Sequence, residues 1–214
     1  MEDRRVNLTF SARELQDLAI AWVALGVAFA IFFAGGGSRA LSMLADQGLI
    51  QPLVVSLVTA GLGFLLHELA HKVVAVRFDQ IAEFRADYGM LFIAVVSAMV
   101  GFLFAAPGAV HHRGRLTARE HGLIALAGPV TNGLLALVFA PIYLAGLFVG
   151  SPLLSLIGGR GVAINLFLAA FNLVPFGPLD GKTVLGWSKA AFVLTFVPAA
   201  AVTVVVVFVL GIGF

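Results

Sequence analysis

The chain has 214 residues, 61% of them hydrophobic, with a mean hydropathy of +1.06; soluble domains run nearer about 45–50% apolar. That composition excludes a soluble globular protein and leaves room for about five or six membrane helices of ~20 residues. The formal charge of +2 gives no reason to expect nucleic acid as a partner, and the lack of cysteine excludes disulfides and thiolate metal sites, so any metal must use His, Asp or Glu.

Residues 1–10 are polar and lack the short apolar core and cleavage site of a signal peptide. Ser11-Ala-Arg-Glu14 reads as a capping box that starts a helix near Ala12. The first span runs apolar from Leu18 to Ala34 and stops at Gly35-Gly36-Gly37, with Arg39 to Ile50 as a short connection.

The second span runs from Pro52 to about Val76 and holds His67, Glu68 and His71. Histidines four residues apart lie on one helical face, one turn from each other. That spacing suits a single metal ion, with the neighbouring Glu as general base. A chance H-E-x-x-H is rare with five His and five Glu in the chain, and ionisable groups in hydrocarbon persist mostly where they have a partner or a role. The competing reading is two histidines satisfied by hydrogen bonds between packed helices. His67 lies ~22 Å along the helix from Pro52, near the end where Lys72 and Arg77 can snorkel to water.

Arg77 to Tyr88 is mixed and charged, and Gly89 to Ala106 is apolar again. If that stretch crosses fully, giving six spans, Lys and Arg divide seven to six between the two sides. If it dips in as a helix and returns through extended Pro107–Arg113, five spans result, with eleven basic residues inside and only Arg39 and Arg160 outside. The positive-inside rule favours the dipping model, with the N-terminus cytoplasmic. A straight 18-residue helix of ~27 Å cannot be retraced by seven extended residues covering ~23 Å, so the helix must be tilted or shallow.

Thr117-Ala-Arg-Glu120 is a second capping box, opening an apolar segment from Gly122 to about Val149 that Pro129 should break or kink. Gly150 to Gly161 reads as a Gly/Ser/Pro loop. Another span covers Val162 to Val174 and ends in Pro175-Phe-Gly-Pro178, and the last runs from about Ala190 to Phe214. His111 and His112 read as interfacial, His121 as structural, and Asp46, Asp79 and Asp87 as solvated loop charges.

A catalytic zinc usually takes three protein ligands, and no further His lies in a span. Asp180 follows a span end beside two prolines and a glycine, which keep the backbone extended and would aim a short carboxylate sideways at a neighbouring helix. It reads equally as a loop aspartate in water.

Three motifs in order, His67-Glu-Leu-Ala-His71, Gly128-Pro-Val-Thr-Asn132 and Asn172-Leu-Val-Pro175-Phe-Gly-Pro-Leu-Asp180-Gly181, resemble those of the site-2 protease family of intramembrane zinc metalloproteases. The resemblance covers residues 52–182, inside one membrane domain of 1–214 with no room for a PDZ or CBS module. It implies an all-α polytopic fold of five to six transmembrane helices, with a re-entrant, extended segment between the second span and the Gly-Pro span. It implies one Zn²⁺ per chain on His67, His71 and Asp180, with Glu68 as the base. Asn132, Asn172, Gly128, Pro129 and Pro175 would support the site or bind substrate. The partners implied are a transmembrane protein substrate and the lipid bilayer of the cell membrane. Oligomeric state is not readable. Lys182 departs from the family, where many members have a second Gly. The runner-up is a membrane metal transporter or non-proteolytic scaffold; the lack of an internal repeat speaks against a carrier.

Overall fold

The computed structural model describes residues 7–46 and 48–213. The polar start at residues 1–6, with Arg4 and Arg5, and the final Phe214 of the expected last span lie outside the described residues. The architecture is the expected all-α polytopic one, with five helical segments long and apolar enough to cross a membrane: 12–33, 50–77, 118–149, 152–172 and 189–209.

Helix α1 (Ala12–Phe33) starts at Ser11, whose hydroxyl accepts the Glu14 N–H at 3.1 Å. The Glu14 carboxylate does not return to the cap, as a capping box requires; it turns into the core. The predicted connection after α1 contains a short helix, α2 (Gly37–Ala45). The second span is continuous through α3 (Ile50–Ser56), a π-helical step at Leu57–Gly61 and α4 (Leu62–Arg77). Trp22 of α1 donates its indole N–H to the Leu57 carbonyl at 3.0 Å, satisfying a group in the widened turn. Such a step shifts the face that the following helix presents, here the face with His67 and His71.

The charged stretch after α4 contains strand β1 (Ile81–Ala86), which pairs antiparallel with β2 (Gly108–Arg113), Phe84 opposite Val110. Phe84 is 1% exposed and meets Phe64 of α4 edge to face at 5.8 Å between centroids. They share a core with Leu18, Ala21 and Leu25 of α1 and with Leu91. Leu91 belongs to α5 (Tyr88–Met99), capped by the Asp87 carboxylate, which accepts the Met90 N–H at 3.0 Å. At 12 residues α5 is about 18 Å long, too short for a hydrocarbon core of about 30 Å. The chain turns at Gly101 (φ 85°) and comes back without helix to β2. The shorter helix removes the length mismatch of the dipping model.

Helix α6 (Ala118–Val149) carries the complete capping box of Thr117 and Glu120 and runs unbroken through Pro129 and Pro141. Of the expected break or kink at Pro129, the break does not occur; in a helix bundle, neighbouring helices hold the turns that each proline weakens. The predicted loop at 150–161 is also largely helix. α7 (Pro152–Asn172) begins at once, with Ser151 as cap and Pro152 in the first turn. Its glycines serve close approach instead of a turn. A Cβ at Gly158 would stand 2.2 Å from the Tyr143 backbone nitrogen, and one at Gly161 2.1 Å from the Phe139 ring. Between helices in lipid, such small residues let backbones meet where apolar burial supplies little drive. Short α8 (Asp180–Trp187) and α9 (Lys189–Thr203), extended by a π-helical segment at Val204–Val209, complete the chain.

Candidate metal centre

His67 and His71 stand on the inner face of α4, 5% and 7% exposed. Each is held by its Nδ1. His71 donates to the Ile124 carbonyl of α6 at 2.7 Å. A carbonyl can only accept, so the proton of neutral His71 sits on Nδ1. His67 Nδ1 lies 2.6 Å from Asn132 Oδ1. The Asn132 amide nitrogen donates to the Gly63 carbonyl at 3.1 Å and to Asn165 Oδ1 at 2.9 Å, so its oxygen must face His67 and accept. Asn165 in turn donates to Gly161 O at 2.9 Å. The chain from His67 through Asn132 and Asn165 to the α7 backbone is buried, and every amide hydrogen bond in it has a defined direction.

The consequence lies on the other ring nitrogens. With both Nδ1 atoms donating, both Nε2 atoms present lone pairs, and they stand 3.0 Å apart. Asp180 Oδ2 lies 3.3 Å from one and 3.4 Å from the other, buried and without a hydrogen-bond partner among the described residues. Three bare acceptors at such distances repel unless a cation lies between them. Donors on a tetrahedral ion with bonds of about 2.0–2.1 Å stand about 3.3–3.4 Å apart, so this set fits zinc. Among the described residues, His67, His71 and Asp180 form the one cluster of three such groups.

Two glycines permit this convergence. A Cβ on Gly128 would stand 2.5 Å from the His67 ring and 2.6 Å from His71 Nε2. A Cβ on Gly181 would stand 1.9 Å from the Leu173 carbonyl oxygen, so the first turn of α8, which carries Asp180, packs on the end of α7 only with glycine there. Glu68, 8% exposed, is next to the cluster and lines the same cleft as Val110 of β2. The residues open onto a cleft of about 1010 Å³ bordered by β2, α5, α6 and α7.

The remaining predicted site residues separate. Asn132 and Gly128 touch the histidines; Asn132 has no hydrogen free for a substrate. Asn172 lines the cleft and donates to Leu168 O at 3.0 Å. Pro129 is buried in α6, whereas Pro175 is exposed in the turn before α8 and does not line the cleft. His112 is half-buried with its ring 5.5 Å from that of exposed His121, and both border the cleft; burial first, then His121 and His111, hold the His112 pKa below its ordinary value. Lys72 does not snorkel: it is 1% exposed, its ammonium 2.5 Å from Glu14 Oε2 and 2.6 Å from Thr9 O. Sequence reasoning missed Asn165, Glu14, Asp17 and this role of Lys72. The available signal was the cost of polar groups inside apolar helices.

Two curated proteins are similar to the chain. A Methanocaldococcus jannaschii protein named "Putative zinc metalloprotease MJ0611" is 38% identical over 191 residues, 88% of this chain and 92% of that protein. A Bacillus subtilis protein named "Putative zinc metalloprotease YwhC" is 31% identical over 164 residues, 64% of this chain and 68% of that protein. No family model and no solved structure matches the chain.

Proposed function

The chain belongs to the zinc metalloprotease family of these two relatives, and from that premise we propose that it is an intramembrane endopeptidase of the site-2 protease type. It hydrolyses a peptide bond within or near a transmembrane segment of another membrane protein. The observation that carries this reading is the convergence of three bare acceptors beside Glu68, at the end of a cleft bordered by the open edge of a strand.

His67, His71 and Asp180 would hold one zinc ion, which when bound would supply a Lewis acid that brings the pKa of water toward ~7 and polarises a carbonyl. Asn132 and Ile124 keep the two imidazoles turned so that both Nε2 lone pairs face inward. Glu68 takes the proton of the attacking water and delivers it to the amine nitrogen as the C–N bond breaks. A helical substrate hides its backbone, so the segment to be cut must first unwind. The edge of β2 can then hold it by strand addition. Gly108, Val110 and His112 alternate on that edge, and Val110 lies beside Glu68. The protein sits in the cell membrane with its N-terminus cytoplasmic, so that water enters from the inner face.

The test is cleavage of a transmembrane reporter by purified protein in detergent, with zinc measured on each variant. Wild type should cleave and lose activity to a chelator. Glu68→Gln should keep one equivalent of zinc and lose cleavage; Asp180→Ala should lose both. Full activity in Glu68→Gln would remove Glu68 as base. One equivalent of zinc with no cleavage of any reporter would favour a transporter or scaffold.

A further inference from the structure

We infer that Glu14 and Asp17 of α1 are a carboxylate clamp on the hairpin, and thereby positioning residues for substrate; the link to substrate rests on the proteolytic reading above, while the clamp itself does not. Both side chains are buried at the inner end of an apolar helix, 0% and 2% exposed, three residues apart on one face. Glu14 Oε1 accepts the Phe84 N–H at 3.0 Å, and Asp17 Oδ2 accepts the Ala86 N–H at 3.4 Å. Phe84 and Ala86 are alternate residues of β1, so their N–H groups point the same way, off the sheet and away from β2. The two carboxylates thus occupy the place of a neighbouring strand.

The register makes the other edge the informative one. Since Phe84 and Ala86 direct their polar groups outward, so do their partners Val110 and Gly108 on the opposite side. That side borders the cleft, which Val110, Gly108 and Glu68 all line. Among the described residues the sheet has two strands. One edge is closed by α1, and a third strand can add only along β2. Isolated two-stranded hairpins are marginal, and a slip of one residue would turn Val110 to the other face. The clamp prevents both.

Two further bonds tie the clamp to its surroundings. Asp17 Oδ1 accepts the Tyr88 hydroxyl at 2.5 Å, holding the start of α5. Glu14 Oε2 accepts from Lys72, the residue after His71. One carboxylate therefore bonds the docking hairpin with one oxygen and the metal-bearing helix with the other. It sets the height of β2 over the histidines.

The experiment measures amide exchange of residues 81–86 and 108–113 in the zinc-loaded protein, together with KM and kcat for the transmembrane reporter. Asp17→Ala removes the bonds to Ala86 and Tyr88 and the Arg85 ion pair; it should speed hairpin exchange and raise KM by roughly tenfold or more, with kcat within about twofold and zinc at one equivalent. Asp17→Asn keeps an acceptor oxygen and should restore most of KM. Ala86→Pro removes the donor without touching α1, in a position where an edge strand tolerates proline; it should reproduce the KM effect even if Asp17→Ala fails to fold. Unchanged hairpin exchange in Asp17→Ala and Ala86→Pro, or a loss confined to kcat and zinc, overturns the clamp. Wild type that cleaves nothing overturns the proteolytic reading instead, and the exchange rates still decide the clamp.

Discussion

The two walls of the cleft are held by opposite means. On the metal wall, amides and carbonyls fix side chains: Asn132 and Ile124 orient the imidazoles, and Asn165 orients Asn132. On the hairpin wall, side chains fix a backbone: Glu14 and Asp17 hold the N–H groups of β1. The difference matters because a ligand atom must be placed to a fraction of an ångström, which neutral, directional bonds inside a rigid helix bundle achieve. A strand offered to a substrate needs only its line and register set, and charged acceptors can do that from outside while its working edge stays open. Damage to the first wall should appear as lost metal and lost kcat; damage to the second, as raised KM.

The largest effect tests the metal wall alone. Chelation of the purified protein should abolish reporter cleavage and zinc should restore it, with hairpin amide exchange the same in both states. Exchange that rises across residues 81–86 on chelation would show that the walls are one unit. Gly128→Ala is next. Its methyl would stand 2.5 Å from the His67 ring, with ring atoms on one side and helix backbone on the other. Zinc per chain should fall well below one, and cleavage by at least about 100-fold, in line with the penalty for misplacing reacting groups by about 1 Å.

Asn132→Ala frees His67 Nδ1 and should weaken zinc binding by about 10–100-fold, the usual range for losing an outer partner of a metal ligand. Asn165→Ala, one bond further out, should do the same more weakly, because Asn132 keeps Gly63 as a second anchor. Competition with a fluorescent chelator ranks the two. Equal effects would mean that Asn165 acts by packing alone.

Lys72→Met crosses between the walls. It leaves the buried Glu14 carboxylate without its counter-charge, a change that costs about 3–5 kcal/mol for buried pairs. Thermal stability in detergent should drop, and the double variant Glu14→Gln/Lys72→Met should recover most of it. If the single variant loses zinc at a temperature where it is still folded, the ion pair belongs to the metal wall as well.

The unequal legibility of the two walls follows from the same contrast. His67, Glu68, His71 and Asp180 could be singled out because metal chemistry restricts residue type and spacing, and the structure brings the three candidate ligands together. The five spans were readable from apolar runs, and the apolar stretch after Gly89 folds as the short helix α5. Asn165 stood alone in an apolar helix with no motif around it. From the sequence Glu14 reads as half of a capping box, because Ser11 does cap α1 and nothing local shows that the carboxylate turns inward to Lys72. The strand at Ile81–Ala86 carries a period of two, Ala82, Phe84 and Ala86 inward against Ile81, Glu83 and Arg85, but its charges masked it as a connection. Gly158 and Gly161 read as loop residues in the sequence because glycine marks both turns and close helix contacts, and only the neighbouring helix tells which.

The smallest expected effect concerns the end of the hairpin wall that no carboxylate holds. His112 packs its ring on His121 at the last turn of the clamped strand pair. Burial, with help from His121 and His111, puts its pKa below the ordinary 6.5. The folded state therefore favours the neutral ring. Between the folded and unfolded values the unfolded chain binds more protons, so stability rises with pH there. The contribution is complete above about 6.5 and is lost as pH falls through the lower, folded value. A fall from pH 7.5 to 5.5 should lower the Tm of the zinc-free protein more than that of its His112→Gln variant, and should lower the amide protection factors, corrected for the slower intrinsic exchange at acid pH, at residues 110–113 before those at 82–86. Working zinc-free keeps proton competition at His67 and His71 out of the comparison, and identical pH slopes in the two proteins would place the sensitivity on some other group. Selective loosening at 110–113 would locate the weak end of the hairpin at His112, one clamp bond beyond the reach of Glu14 and Asp17.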